Sequence, residues 1–171
     1  GSSSESLAKL RPAFTKDGSV TAGNASQISA GAAAVVVMSL ARAKELGLSP
    51  IAKIVDYNTA GVEPKKLFFA PAVGIEALLA RNEVGIDEVD LFEINEAFAA
   101  QVLADIKHLG VPEDKLNICG GGIALGHPIG ASGTRVLVTL LHQLARTGGK
   151  RGVASLCLGG GNAVSMMVEM A

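Results

Sequence analysis

The segment GGGIALGHPIGASG, residues 120–133, places six glycines around one histidine, His127. Proteins use glycine where the backbone turns through positive φ, or where a second backbone or a ligand must approach closely. Here such positions lie on both sides of a titratable ring. Residues 131–144 continue with apolar side chains at helical spacing, which predicts an amphipathic helix directly after the loop.

Strands and helices alternate along the rest of the chain. Residues 30–38 (AGAAAVVVM) form a continuous apolar run rich in valine, which predicts a central strand covered on both faces, with a buried helix as the alternative. Further strands are predicted at 51–60, 87–94, 152–158 and 163–170, and helices at 40–46, 71–81, 97–109 and 131–144. A glycine turn at 159–162 joins the last two strands. The pattern predicts an α/β domain with a mixed, mainly parallel sheet, an antiparallel last strand, and helices covering the sheet.

The composition limits the possible partners. The chain has 171 residues, of which 49% are hydrophobic and 18% charged, as is typical of a compact domain. A net charge of -1 with scattered Lys and Arg offers no basic face, so we expect neither a nucleic acid nor a membrane surface as a partner. Cys119 and Cys157 make a poor disulfide framework and no signal peptide is visible, which favours free thiols and a cytoplasmic location.

The start of the chain indicates a piece of a longer protein. Residues 1–6 (GSSSES) are typical of an expression tag, and no initiating Met is present. Residues 7–24 contain a KDG turn and few core-type patterns, so we interpret them as the end of an upstream loop region. The remaining residues, 25–171, are expected to form the domain.

Three polar residues follow predicted strands or glycine turns. Asn95, His127 and Cys157 could point into one crevice, because ligands gather at the carboxyl ends of strands in such sheets. Each also has a structural alternative: a helix N-cap for Asn95, a buried strand cysteine for Cys157, and a hydrogen-bonded structural histidine for His127. The glycines fit neither the dinucleotide fingerprint nor the P-loop. The Cys and His spacing is not that of a zinc site, so no metal is expected.

Four motifs in order resemble one family. They are AGNAS at 22–26, NEAFA at 95–99, GHPIGASG at 126–133 and CLGGG at 157–161. Together they resemble the C-terminal half of a thiolase, an acyl-CoA C-acyltransferase, and the likeness runs from residue 10 to 171. It implies that residues 25–171 are a thiolase C-terminal domain whose N-terminal half is absent.

The resemblance implies a role for each site residue. His127 would activate a nucleophilic cysteine and, with a water held by Asn95, form an oxyanion hole for the thioester oxygen. Cys157 would be the general base that takes a proton from the α-carbon of the acetyl thioester. The backbone N–H of Gly159 would contribute to a second oxyanion hole.

The resemblance also implies the substrates and the assembly. Phe14, Ala25 and Ser26 would lie along the pantetheine of coenzyme A, with Ala97 and Phe98 near the acyl end. The substrates would be acyl-CoA and CoA thioesters, with no tightly bound cofactor. When joined to its N-terminal half the protein is expected to be a homo-oligomer.

Two departures from the family pattern affect the predicted activity. Cys119 stands where the family more often has Asn or His, so we expect a structural role for it. The nucleophilic cysteine belongs to the N-terminal half, so the isolated chain is expected to be inactive. The alternatives are a non-catalytic thiolase-fold assembly protein and a decarboxylating condensing enzyme of the same superfamily.

Overall fold

A computed structural model describes residues 2–171. Its helices are α1 Ser4–Leu7, α2 Leu40–Glu45, α3 Ala70–Arg81, α4 Ala99–Leu109, α5 Gly122–Leu125 and α6 Ser132–Thr147. Its strands are β1 Ala52–Gly61, β2 Leu91–Ile94, β3 Arg151–Leu158 and β4 Asn162–Met170. The α/β prediction is confirmed, and most predicted elements agree with the structure to within a few residues.

The four strands form one mixed sheet in the order β1-β4-β3-β2. β2 and β3 pair in parallel, whereas β4 pairs antiparallel with both β3 and β1. The prediction of an antiparallel last strand is confirmed, but the prediction of a mainly parallel sheet is wrong. After the glycine turn β4 folds back and lies between β3 and β1, antiparallel to both. Two of the three strand pairings in the sheet are therefore antiparallel.

Side chains on opposite faces of β2 enter two separate cores. Phe92 and Ile94 pack with residues of α3 and α4, such as Ile75 and Val102. On the other face, Leu91 packs with the apolar side of α6, formed by Val136, Leu140 and Leu144. Successive strand residues point to opposite faces, so β2, an edge strand of the sheet, separates the two helical layers.

Local signals set the ends of the two longest amphipathic helices. α4 and α6 end at Gly110 and Gly148, both with φ +74°, the left-handed conformation that glycine adopts without strain. α4 begins at Ala99 rather than at the predicted Ala97, because Phe98 is extended and bridges to Ala25.

The predicted central strand at residues 30–38 is wrong for this chain. These residues form neither helix nor strand, and all of them are exposed, Val36 to 86%. The apolar run predicts burial, but no described strand of this chain pairs with it.

Within residues 2–171, no helix has both the length and the apolar composition that a membrane crossing requires.

Candidate active site

The glycine loop is fastened to the end of β2 by side-chain hydrogen bonds. Asn117 accepts from the Ile94 N–H at 2.9 Å and donates to the Ile94 carbonyl at 2.8 Å. The Glu96 carboxylate accepts from the Ile123 N–H and from the Asn117 amide, both at 3.1 Å. A Cβ on Gly122 would lie 2.8 Å from the Glu96 carbonyl oxygen. The loop can therefore follow this path only with glycine at that position.

The His127 ring is held from both sides. Its Nε2 lies 3.3 Å from the Asn95 amide nitrogen, and its Nδ1 lies 2.6 Å from Ser132 Oγ. Ser132, at the first position of α6, donates its hydroxyl to the Pro128 carbonyl at 3.0 Å. Ser132 Oγ then accepts from Nδ1–H, and Nε2 accepts from the Asn95 amide. This pattern assigns the tautomer that has its proton on Nδ1 and its lone pair on Nε2.

The electrostatic surroundings keep this imidazole neutral. Burial lowers the pKa of His127, and the positive charge of Arg135 lowers it further. A neutral ring with Nε2 unprotonated can accept a proton near pH 7. The geometry therefore suits a general base.

Asn95 is buried behind the histidine. It is 1% exposed, and within residues 2–171 its Oδ1 has no hydrogen-bond partner. It does not act as the N-cap of α4, since Phe98 occupies that position. A buried polar atom that lacks a partner is uncommon and is often functional.

Cys157 lies near the end of β3, on the same edge of the sheet as Asn95. The Asn95 N–H donates to the Ser155 carbonyl at 2.9 Å, which continues the parallel pairing of β2 with β3 to the residue beyond β2. The thiol of Cys157 is half-buried, and burial raises its pKa, with a smaller contribution from the negative charge of Asp105.

Gly159 opens the turn that follows Cys157. It is exposed, and a Cβ there would meet no atom within 4 Å. Gly161, at φ +97°, closes the turn and accepts a hydrogen bond from the Val62 N–H at 2.7 Å. The turn is thus anchored at one end while the Gly159 backbone remains accessible.

An apolar groove of 580 Å³ lies beside α4. It is lined by Phe14, Val20, Lys65, Lys66, Phe68, Phe69, Phe98, Ala100, Gln101 and Ala104. The Phe98 ring makes edge-to-face contacts with Phe14 and Phe68, at centroid distances of 5.9 and 5.1 Å. Such aromatic walls suit an elongated, partly apolar ligand.

The other predicted binding residues lie between the groove and the edge of the sheet that carries Asn95 and Cys157. The Ser26 N–H donates to the Ala97 carbonyl at 3.0 Å, and Ala25 bridges to Phe98. The structure thus brings Phe14 and Phe98 together in the groove, and it places Ala25, Ser26 and Ala97 beside it. Their roles toward a substrate stay predictions.

Sequence reasoning missed several residues that shape the site. Ser132 holds the His127 ring, and Glu93 and Arg135 form an ion pair at 3.9 Å below it. The one charged residue in the otherwise apolar β2 sequence LFEI could have indicated a buried ion pair.

Cys119 lies outside the site: its exposed Sγ is 3.7 Å from Arg146. Among residues 2–171, no cluster of His, Cys, Asp and Glu could hold a metal ion.

Family models match nearly the whole chain. The model described as thiolase, C-terminal domain, matches residues 48–170, and the model described as thiolase, N-terminal domain, matches residues 1–41. Residues 1–6 thus fall inside the second match. Residues 42–47 lie between the two matches.

Known proteins resemble the chain over most of its length. An acetyl-CoA acetyltransferase of Chromobacterium violaceum is 54% identical over 98% of this chain, and one of Cupriavidus necator is 54% identical over 99%. In both cases the chain spans only 43% of the relative.

Solved structures agree in fold. The acetyl-CoA acetyltransferase of Bacillus anthracis superposes with a TM-score of 0.97 at 50% identity, and human mitochondrial 3-ketoacyl-CoA thiolase in complex with CoA superposes at 0.91 and 37%. Each match covers 99% of this chain and 43% of the other. The fold, the motifs and the extent of these matches together show that this chain belongs to the thiolase family.

Proposed function

We propose that this chain supplies the His127 side of the active site of a thiolase that catalyses reversible acyl transfer. The reaction is Claisen condensation of acyl-CoA with acetyl-CoA, and thiolysis in the reverse direction. The observation that carries the proposal is the His127 ring fixed between Asn95 and Ser132, with its lone pair on Nε2. The family membership and the similarity to acetyl-CoA acetyltransferases support it.

In this proposal His127 makes the first proton transfer. Its Nε2 would accept the proton of a nucleophilic cysteine supplied by the N-terminal half, so that the thiolate attacks the thioester carbonyl. The thioester oxygen would then be stabilised at His127, together with a water on the Asn95 side chain. The lowered pKa of the ring favours its unprotonated form before each cycle.

Cys157 would act on the second substrate. Burial raises its pKa, so the resting thiol would first give its proton to the CoA thiolate that leaves in the acyl-transfer step. The Cys157 thiolate formed in this way would then take the proton from the α-carbon of acetyl-CoA. In the thiolysis direction the same thiol would return the proton to carbon. The accessible N–H of Gly159 would stabilise the enolate or tetrahedral oxygen that forms beside it.

The groove would hold the coenzyme. Phe14, Ala25 and Ser26 are proposed to contact the pantetheine, and Ala97 and Phe98 the acyl end. CoA thioesters are substrates in this proposal, and no tightly bound cofactor is required.

We further propose that the protein is a homo-oligomer when the chain is joined to its N-terminal half. We also propose a cytoplasmic location, a role in lipid metabolism, and a C-terminal domain at residues 25–171.

Thiolysis of acetoacetyl-CoA tests the proposal. The isolated chain should give no turnover, whereas the complete gene product should turn over, and His127→Ala in it should lower kcat by about 10³-fold, as expected for loss of a general base. His142→Ala, an exposed histidine on α6, is the matched control and should retain activity.

Three results would contradict the proposal. Turnover by the isolated chain would refute the need for a second cysteine. Activity in His127→Ala equal to that of the wild type would rule out His127 as the base, whereas no turnover by either protein would favour a non-catalytic assembly protein. Release of carbon dioxide from malonyl-CoA would instead indicate a decarboxylating condensing enzyme.

A further inference from the structure

The face of β2 that meets α6 changes in character along its length. Leu91 packs against Leu140 and Leu144 in an apolar layer. Two residues on, Glu93 faces Arg135 at 3.9 Å. Two residues further, Asn95 contacts His127, whose ring also contacts Ser132.

The spacing of the two elements accounts for these layers. Residues two apart on a strand share a face and lie about 6.6 Å apart, while one helical turn rises about 5.4 Å. Glu93 and Asn95 are therefore matched by Arg135 and Ser132, which lie on one face of α6. The ion pair thus forms the layer directly below the histidine.

The Arg135 charge is poorly neutralised within this layer. Glu93 is only 2% exposed, and the Nε, Nη1 and Nη2 atoms of Arg135 are all buried without a hydrogen-bond partner in the described part of the chain. At 3.9 Å the carboxylate is an ion-pair partner but not a hydrogen-bonded one. A charge without hydrogen bonds in a weakly polarisable interior acts over a longer distance than an exposed one.

We propose that Arg135 is a positioning residue of the thiolase reaction, held in place by Glu93, whose buried positive charge keeps the His127 ring neutral and thus available as the base. This rests on the proposed function, because it assigns Arg135 a role toward the base of that reaction. Among the described residues, the ring partners of His127 are Asn95 and Ser132, and Arg135 forms no hydrogen bond with it. It acts on the ring through its charge alone.

The charge states of the neighbours agree with this role. Burial lowers the pKa of His127 and Arg135 lowers it further. Burial also raises the pKa of Glu93 to about 7, against the opposing attraction of Arg135. As the pH falls below 7, Glu93 takes up a proton, so the Arg135 charge is least compensated where an isolated histidine would become charged.

Other ionisable groups near the ring are accounted for. The Glu96 carboxylate is bonded to the Ile123 N–H and to Asn117, which holds it on the glycine loop. The Cys157 thiol has a raised pKa and is uncharged at neutral pH. Arg135 is therefore the charge that distinguishes this site from an ordinary half-buried histidine.

The test is the His127 ring titration, followed by nitrogen-detected NMR of the complete gene product. Arg135→Met removes the charge and should raise the pKa of His127 by about half a pH unit or more. Arg135→Lys keeps a positive charge and should retain most of the wild-type value. Arg151→Met is the matched control, because Arg151 pairs with Glu169 at the opposite end of β3 from Cys157.

A second variant protects against loss of folding. Glu93→Gln combined with Arg135→Met leaves no buried charge in this layer and should show the same raised pKa as Arg135→Met alone. The acidic limb of the pH profile of kcat/KM should move upward by the same amount in both. A purely structural role would lower stability without moving either midpoint.

The outcomes separate this inference from the proposed function. Coincident titrations in wild type and Arg135→Met, or equal shifts in Arg135→Met and Arg135→Lys, would overturn the inference even if His127→Ala abolishes turnover. If His127→Ala leaves turnover unchanged while the titrations shift as expected, it is the proposed function that fails.

Discussion

At the scale of single residues, the candidate active site depends on partners that fix the orientation and tautomer of one ring. Ser132 is fully buried, and its hydroxyl links His127 Nδ1 to the Pro128 carbonyl. Without that link either nitrogen could carry the proton, and only one tautomer presents a base at Nε2.

Ser132→Ala should therefore lower kcat about 10-fold with little change in KM, because it removes a hydrogen bond that orients the base without altering substrate contacts. Steady-state thiolysis kinetics of the complete protein measure this. Ser39→Ala, which removes the N-cap of α2, is the control and should leave kcat unchanged. A raised KM at constant kcat would argue against an orienting role for Ser132.

Asp105 predicts how stability depends on pH. It is 0% exposed, and burial raises its pKa to about 7, against the hydrogen bond from Gln101 at 2.6 Å. The folded state thus binds a proton that the unfolded state releases above about pH 4, so this group's contribution to stability is present at low pH and is lost as pH rises from about 4 to 7.

Asp105→Asn should remove this loss. At pH 8 it should increase the free energy of unfolding by roughly 2 kcal/mol relative to wild type, and by much less at pH 5. Urea denaturation at the two pH values measures the difference, with exposed Asp114→Asn as the control. An equal effect at both pH values would mean that Asp105 does not titrate in this range.

The sequence motifs identified the chemically active residues of the candidate site, but not the residues that hold them in place. Asn95, His127 and Cys157 stand beside glycines or strand ends, which makes them visible in a sequence. Ser132 and Arg135 lie within a helix whose pattern is ordinary, and only the packing of α6 on β2 brings them to the histidine. Contacts between distant segments are not encoded in local spacing.

At the scale of elements, α6 lies unusually close to β3. A Cβ on Gly152 would lie 2.7 Å from Leu140 and 2.9 Å from Leu144. The absence of a side chain at this position lets the helix settle against the sheet, and the helix in turn carries Ser132 and Arg135.

Gly152→Ala should destabilise the complete protein by about 2 kcal/mol, because an inserted methyl group overpacks a dense core. Gly133→Ala is the control, since a Cβ there meets nothing within 4 Å and the residue lies in the first turn of α6. Thermal unfolding measures both. Equal unfolding temperatures for the two variants would mean that the close approach of α6 to β3 does not contribute to stability.

The elements that were predicted correctly are those with local signals. α4 and α6 have amphipathic spacing and end at glycines with positive φ, and β3 and β4 flank a glycine turn. The sheet order was not predictable in the same way, because the pairing of β4 with β1 joins segments about a hundred residues apart. Residues 30–38 have the composition of a buried strand, yet a strand forms only where a partner is present.

At the scale of the whole molecule, that apolar segment is the largest departure from a self-contained domain. Residues 30–38 form neither helix nor strand and are exposed, and they fall within the match to the thiolase N-terminal domain. Since the chain spans 43% of its relatives, we expect the segment to be covered by the N-terminal half of the complete protein.

Val36→Asp should therefore cost the complete protein about 3 kcal/mol, as expected for a charge placed in a buried strand. The same change should leave the isolated chain as stable as before, since Val36 is 86% exposed there. Val36→Ile, which keeps an apolar, β-branched side chain, is the control in both the complete protein and the isolated chain. Equal denaturation midpoints for Val36→Asp and wild type in the complete protein would contradict this assignment.

Because β2 packs on both faces, a change in its length should be more disruptive than a change in its amino-acid composition. Loss or gain of one residue before Phe92 would reverse the facing of every side chain after it. Glu93 and Asn95 would then enter the layer of α3 and α4, while Phe92 and Ile94 would stand beside the histidine. A reading-frame-preserving deletion of one amino acid here should therefore abolish both core packing and chemistry at once, although many substitutions at the same positions would affect only one of them.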